Sequence, residues 1–427
     1  MIRTAARALL RAALGFYFRR IELAGAERLP SGPLLVCANH PNSLADAMVL
    51  AAALPRPFSV VATAALFRLA PVAWLLRRLG VIAVNRASDD PRAMRSVTAT
   101  FEAVYGVLES GGAVLIFPEG VTYDEPALHE LKSGAARMAL ELEHRHGGRL
   151  GVGLLPVGLA YPARARYRGD ASVAVGAALK AADFLEGYPE RKKDCIARLS
   201  AALEAALKSL VVHQPDAGRA RTAAGVLRLM GGAAKAAADA VEGAYARRPA
   251  EAEAFARGLA RYERDLARLA VDDAAVRAHA GGGLGTGEMA ARGAAAVVLG
   301  PVAVWGAVHR WLPLELTAWA VERFSDRERL EARVATRALL AGTLSFVSFY
   351  GVLIAAVHAA WGWPASLWYG ASLPVSGLIA HAYWGELARL GRHAVRLRRL
   401  ARLRRAGVLV RRRAALLEEL ARWRVRA

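Results

Sequence analysis

His40 and Asp46 are the residues whose types and spacing first suggest chemistry in this chain. They lie in the stretch Leu34-Leu-Val-Cys-Ala-Asn-His-Pro-Asn-Ser-Leu-Ala-Asp46. A carboxylate on one imidazole nitrogen leaves the other free to take a proton. The apolar run Leu34 to Ala38 reads as a buried strand, Asn39-His40-Pro41-Asn42 as a turn, and a helix begins near Ser43. His40 is therefore expected where a strand hands over to a helix, the edge on which α/β sheets carry their chemistry. Asp46, in the first turn of that helix, can fold back toward it. A second reading stays open: Ser43-x-x-Asp46 also fits a capping box, with His40 an ordinary loop histidine.

Further polar residues fall at predicted strand ends and loops. Gly80-Val-Ile-Ala-Val-Asn-Arg86 reads as a strand delivering Arg86. Ala113 to Phe117 is another, broken by Pro118-Glu119-Gly120. Lys132 precedes Ser133-Gly134 at the start of a helix over 135–143. A helix N-terminus with a lysine and an arginine makes a phosphate site, although either cation alone also reads as a solvated surface charge. The Phe117–Gly120 stretch also reads as a plain turn. Gly-x-Ser-x-Gly, His-Glu-x-x-His and Walker patterns are lacking.

The elements that must position these residues alternate. Strands are expected at 58–62, 152–159 and 171–175 as well, separated by helices, which gives a layered α/β domain with a mostly parallel central sheet over residues 25–182. The apolar patch at 63–79 fits a core helix or a membrane-facing platform. Residues 1–24 read as a basic amphipathic helix with Arg3, Arg7 and Arg11 on one face, lying on an anionic membrane surface or packed on the catalytic domain. Residues 183–290 form an Ala-rich helical region ending in the linker Gly281-Gly-Gly-Leu-Gly-Thr-Gly.

Hydrophobic residues make up 55% of the 427, and the formal net charge is +21. That pairing implies membrane segments and an anionic partner. Aromatics are 7%, and no extended run interleaves Phe or Tyr with Lys and Arg, which favours lipid over nucleic acid. The two cysteines, Cys37 and Cys195, stand far apart, with no disulfide framework or zinc pattern, so a reducing, cytosol-facing catalytic part is expected. Apolar segments occupy 291–385. Those at 338–360 and 365–384 read as a hairpin turning at Trp361-Gly-Trp-Pro364. The Pro-containing segment at 293–312 is expected not to cross. The tail 386–427, with fourteen arginines against three glutamates, is expected to stay cytoplasmic with the catalytic domain.

Four stretches in order, Asn39-His40 with Asp46, Gly80 to Arg86, Phe117-Pro118-Glu119-Gly120 and Leu155-Pro156-Val157-Gly158, resemble the motifs of the PlsC-like glycerolipid acyltransferases. Five residues separate His40 from Asp46 where four are usual. This spacing, Leu131 to Ala139 and the C-terminal apolar segments resemble the subgroup of yeast-type glycerol-3-phosphate and dihydroxyacetone-phosphate acyltransferases. The resemblance implies that His40, held by Asp46, deprotonates a glycerol hydroxyl that attacks an acyl thioester. Arg86 and Lys132 would clamp the acceptor phosphate, and Phe117, Pro118, Glu119 and Gly120 would shape its site. It implies no metal or cofactor, with acyl-CoA or acyl-carrier protein as co-substrate. The expected partners are membrane lipid and a phosphorylated glycerol-type acceptor, either glycerol-3-phosphate or dihydroxyacetone phosphate, with lysophosphatidic acid as the alternative. A non-catalytic lipid-binding scaffold is the contrasting expectation.

Overall fold

The structure is a computed structural model. It describes residues 2–67, 70–84, 94–122, 127–162, 168–214, 216–230, 234–280, 286–323, 331–402 and 406–425. The chain divides into two compact units, one of Met1–Pro215 with Asp326–Thr336, the other of Asp216–Ser325 with Arg337–Ala427.

The first unit is built on one sheet whose strands are β1 (Arg20–Ala24), β2 (Leu34–Ala38), β3 (Ser59–Thr63), β4 (Val81–Val84), β5 (Ala113–Ile116), β6 (Gly153–Ala160), β7 (Asp170–Val175) and β8 (Leu179–Lys180). They lie in the order β1-β7-β6-β2-β5-β3-β4, with the short β8 also on β6. β2 runs parallel to both neighbours, and β5, β3 and β4 continue in the same sense. Only β7 and β8 run antiparallel to β6, and β1 is parallel to β7. β2 is buried throughout, and β5 and β6 nearly so. Strands covered on both faces are continuous apolar runs, which is how these three read in the sequence.

The helices of this unit are α1 (Ile2–Tyr17), α2 (Leu44–Ala53), α3 (Ala70–Leu79), α4 (Met94–Glu109), α5 (Gly134–Arg145) and α6 (Lys192–Leu210). Leu35 and Cys37 of β2 share one core with Val104 and Leu108 of α4, Leu140 of α5, and Leu199, Leu203 and Leu207 of α6. α2 packs toward β1 and β7. The result is the layered, mostly parallel α/β domain expected from the sequence.

Two expected boundaries move. Residues 20–24 belong to the sheet as its edge strand β1, not to the N-terminal helix. Arg11 Nε donates to the Ala52 carbonyl at 2.8 Å, and Arg7 donates to the carbonyls of Leu54 and Pro55. Arg11 thus caps a last-turn carbonyl of α2, which a helix C-terminus leaves unpaired, and Arg7 holds the chain just beyond the helix. With Leu14 and Phe18 buried, α1 packs on the sheet domain, and Arg7 and Arg11 are spent on the end of α2. Residues 183–215 also fall in the first unit, because α6 supplies core side chains to it. A Cβ at Gly158 would stand 2.8 Å from Leu210 Cβ, so a glycine in β6 lets α6 come this close.

The second unit contains α7 (Ala217–Met230), α8 (Ala234–Arg247), α9 (Pro249–Arg268), α10 (Asp273–Ala280), α11 (Thr286–Arg323), α12 (Glu331–Arg402) from Arg337 onward, and α13 (Ala406–Val425). The basic C-terminal segment is helical. α12 carries helix to Arg402, and α13 buries Leu409, Leu416, Leu420 and Trp423. Arg413 Nε donates to Asp273 Oδ1 at 2.8 Å, beside the Tyr262 hydroxyl at 2.9 Å, and Arg412 pairs with Asp265.

Val297–Arg323 and Leu340–Ala388 are long and apolar enough to cross a membrane. The second breaks at Gly362, whose φ of 76° leaves the helical region. A Cβ at Gly370 would meet Ile354, and one at Gly377 would meet the Tyr350 hydroxyl, so the arms fold back on each other around Gly362. α11 lies against the second arm at Gly306, where a Cβ would fall 2.1 Å from the Ser376 carbonyl oxygen. Val298, Trp311, Trp319, Leu344 and Trp368 stand exposed on these helices.

A local ion cluster gives the first unit a checkable acid limb. Glu141 Oε2 on α5 accepts from Lys192 Nζ at 2.6 Å and Tyr188 Oη at 2.7 Å. These partners hold its carboxyl down at about 2. A depressed carboxyl contributes stability that is complete above its unfolded value and lost as pH falls through the folded one. Thermal unfolding of the full chain should therefore show declining stability between about pH 4.5 and pH 2. Glu141→Gln should flatten that decline, and an unchanged slope in the variant would remove Glu141 from the account.

Candidate active site

His40 follows the central strand, and its two neighbours complete the site. β2, β5 and β6 are adjacent and parallel, so their C-terminal ends open on one edge. From β6, Asn39 is held by a two-point contact: its Nδ2 donates to the Leu159 carbonyl at 3.0 Å, and its Oδ1 accepts from the Leu159 amide at 2.7 Å. The side-chain amide thus extends the β2–β6 ladder one step past the end of β2. Both Leu159 groups are buried, and leaving either unpaired costs about 1–3 kcal/mol.

From β5, Phe117 stacks on the imidazole, with ring centroids 3.9 Å apart and planes 16° apart. Glu119 reaches the same loop by its carboxylate. Its Oε1 accepts the His40 backbone amide at 3.0 Å, and its Oε2 accepts the His129 amide at 3.2 Å. Glu119 is buried, and burial raises its carboxyl above the usual range, while the two amides pull the other way.

His40 Nδ1 lies 2.9 Å from Asp46 Oδ2, which also accepts the Asn42 amide at 2.8 Å. Asp46 is fully buried, which raises its carboxyl; the His40 ring, the Asn42 amide and the Tyr161 hydroxyl oppose that shift by favouring the ionised form. A carboxylate on Nδ1 fixes that nitrogen as the protonated one and leaves Nε2 with its lone pair available. The capping-box alternative fails: Ser43 makes no side-chain cap, and its φ of 52° with ψ of −134° is strained for a residue with a Cβ. The Asn42 side chain beside it is fully buried and lacks a hydrogen-bond partner among the described residues. Strain and an unpaired amide in the turn next to the base are features that functional sites retain.

Lys132 meets the same turn. Its backbone amide donates to the Pro118 carbonyl at 2.8 Å. Its side chain lies over Gly120, where a Cβ would stand 2.7 Å from Nζ. Gly120 has φ of +74°, so it both turns the chain and leaves room for the ammonium. Arg86 lies outside the described residues; β4, the strand that leads toward it, runs parallel to β3 and β5 and ends on the same edge. The sequence-derived residues His40, Asp46, Phe117, Pro118, Glu119, Gly120 and Lys132 are thus brought together.

A family model for acyltransferases matches residues 20–160, the span from β1 to the end of β6. Residues 20–160 are an acyltransferase domain. The chain is 31% identical over 120 residues to the glycerol-3-phosphate O-acyltransferase 2 of Saccharomyces cerevisiae, an alignment covering 28% of this chain and 16% of that protein. It is 29% identical over 154 residues to the 1-acyl-sn-glycerol-3-phosphate acyltransferase of Borreliella burgdorferi, covering 36% and 56%. The chain thus spans less than two thirds of these relatives. Among solved structures, the lysophosphatidic-acid acyltransferase PlsC of Thermotoga maritima aligns over 49% of this chain and 80% of its own, at 17% identity and a TM-score of 0.36.

Within the acyltransferase domain, sequence reasoning missed Asn39 as a ladder extension, Tyr161 beside Asp46, and the His129 amide on Glu119. Asn39 had a signal, because a buried strand ending on an amide side chain needs a partner for it. Tyr161 and His129 had none, since their contacts depend on the paths of other strands and loops. Glu119→Gln offers one acceptor oxygen to two backbone amides. We expect it to cost about 1–3 kcal/mol in thermal unfolding and to lower kcat by shifting the His40 backbone. Unchanged unfolding with unchanged turnover would show that the carboxylate does not hold the loop.

Proposed function

We propose that the acyltransferase domain moves a fatty acyl group from an acyl thioester to a hydroxyl of a phosphorylated glycerol-type acceptor. The single observation that carries this reading is the His40–Asp46 contact beside Lys132 on one sheet edge. Nε2 of His40 takes the acceptor proton, and the acceptor oxygen adds to the thioester carbonyl. The tetrahedral intermediate expels the thiolate, which recovers the proton from the imidazolium. Asp46 stabilises that imidazolium, and Phe117 keeps the ring flat against the edge. General-base help of this kind supplies about 10²–10⁴-fold, so orienting the two substrates must supply much of the rest.

Lys132 is the described cation for the acceptor phosphate, and Arg86 is its proposed companion. Glycerol-3-phosphate or dihydroxyacetone phosphate is the favoured acceptor, in keeping with the name of the yeast relative. The donor is acyl-CoA or acyl-carrier protein, with no metal in the scheme. The exposed apolar surface of the two candidate spans supports bilayer insertion, where acyl products would partition. In this reading the two arms of α12 cross, α11 does not, and the catalytic domain and C-terminus face the cytoplasm.

Thiol release from a labelled acyl thioester, with each acceptor in turn, tests the scheme. His40→Ala should lower kcat by at least about 10²-fold with the fold intact. Lys132→Ala should raise KM for the phosphorylated acceptor and leave KM for the thioester in place. Full turnover by His40→Ala would end the mechanism. Turnover with lysophosphatidic acid alone would reassign the acceptor, and lipid binding without thiol release would make the protein a scaffold.

A further inference from the structure

The helix α9 carries a basic stripe that neither the catalytic site nor the packing of its bundle uses. Its buried face is Ala252, Phe255, Leu259, Tyr262 and Leu266. On the outer face stand Arg257, Arg261, Arg264 and Arg268, all exposed. At about 100° per residue, spacings of four, seven and eleven keep these side chains within about 60° of one another, along about 17 Å of helix.

An outward basic face is ordinarily neutralised by neighbouring carboxylates, yet the acids of α9 are taken. Glu251 pairs with Arg248 at 3.3 Å, Glu253 with Arg257 at 3.5 Å, Glu263 with Arg228, and Asp265 with Arg412. Arg261, Arg264 and Arg268 therefore have no carboxylate partner among the described residues. The helix end favours positive charge through its dipole, but that effect is confined to the last turn and does not extend to Arg261.

The chain leaves α10 at Ala280 and enters α11 at Thr286, and it returns from α12 at Arg402 into α13 at Ala406. α13 is locked onto the bundle by Arg412–Asp265 and Arg413–Asp273. The stripe is consequently tethered at both exits of the bundle to the apolar helices of the same unit.

We infer that the Arg257–Arg268 face of α9 docks on anionic phospholipid headgroups of the bilayer that holds α11 and α12. The inference rests on reading those helices as membrane-inserted, and it is independent of the chemistry at His40. Arginine suits the task because its planar fork pairs with phosphate oxygens. The attraction to an anionic leaflet falls off within a Debye length, so the face must approach the headgroups closely.

The test uses the full chain in lipid nanodiscs. Cys37 and Cys195 are buried, so a thiol-reactive fluorophore can be directed to Ala267→Cys, an exposed position beside Arg264 and Arg268. A spin label on the lipid headgroups then reports proximity. In discs of phosphatidylglycerol and phosphatidylcholine, we expect quenching at about 0.1 M salt that is lost near 1 M, where the Debye length shrinks to about 3 Å. Replacing the four arginines by glutamine should abolish the quenching, and replacing them by lysine should retain most of it. All of these variants should keep their acyl-transfer assay outcome, so failure here is distinguishable from failure of the catalytic reading. Equal quenching in phosphatidylcholine alone, or undiminished quenching in the glutamine variant, would overturn the proposal. So would salt-sensitive binding of duplex DNA that the glutamines remove, and so would failure of the chain to enter discs at all.

Discussion

Two buried carboxylates hold the loop that carries the imidazole. Asp46 takes the ring nitrogen and the Asn42 amide, and Glu119 takes the His40 amide and the His129 amide. Burying either group raises its carboxyl, which shows that the surroundings disfavour the charge. Backbone amides and the imidazole offset that cost, because hydrogen bonds to an ionised acceptor are about twice as strong as neutral ones. The arrangement is fixed because Asp46 Oδ2 and both oxygens of Glu119 each meet a group of the loop. A freely rotating histidine on a surface turn would spend most of its time misaligned, so the anchoring of the main chain matters as much as the ring's own contact.

The strand order makes this anchoring possible. β2 lies between β5 and β6, so a residue just beyond β2 is within reach of groups just beyond both neighbours. Asn39 binds toward β6, while Phe117 and Glu119 approach from β5. Three tasks, fixing the backbone, orienting the ring and supplying a cation, thus come from three different stretches of sequence. Gly120 and Gly158 serve the same end without chemistry, one by admitting the Lys132 side chain and the other by admitting α6.

Much of this was legible before the fold was known. Continuous apolar runs marked the central strands, because a strand covered on both faces has no polar side to show. His40, Asp46 and the Phe117–Gly120 turn stood at strand ends, where sequence punctuation is strongest. The misses share a cause. β1 is a five-residue edge strand with alternating exposure, and its Arg-Ile-Glu-Leu-Ala pattern carries little signal beside the helix that precedes it. Arg7 and Arg11 read as lipid-facing because periodicity shows that a face is basic, not what it meets. α6 resembled the helices after it in composition, and only its packing against β6 assigns it to the first unit. The arginine-dense C-terminus was read for its charge alone, yet Leu409, Leu416, Leu420 and Trp423 trace one buried helical face within it.

The edge position of β1 has a consequence for how the chain is made. β1 joins the sheet only through β7, whose residues emerge well after those of β1 during synthesis. Until Asp170 to Val175 have left the ribosome, the first strand has no partner and must wait beside α1. The end of the sheet that is born first can thus close only after β7 is made, across the whole span from β2 to β6. A nascent chain arrested before Gly169 would display β2, β5 and β6 already competent to pair, and an N-terminal segment still open to proteases.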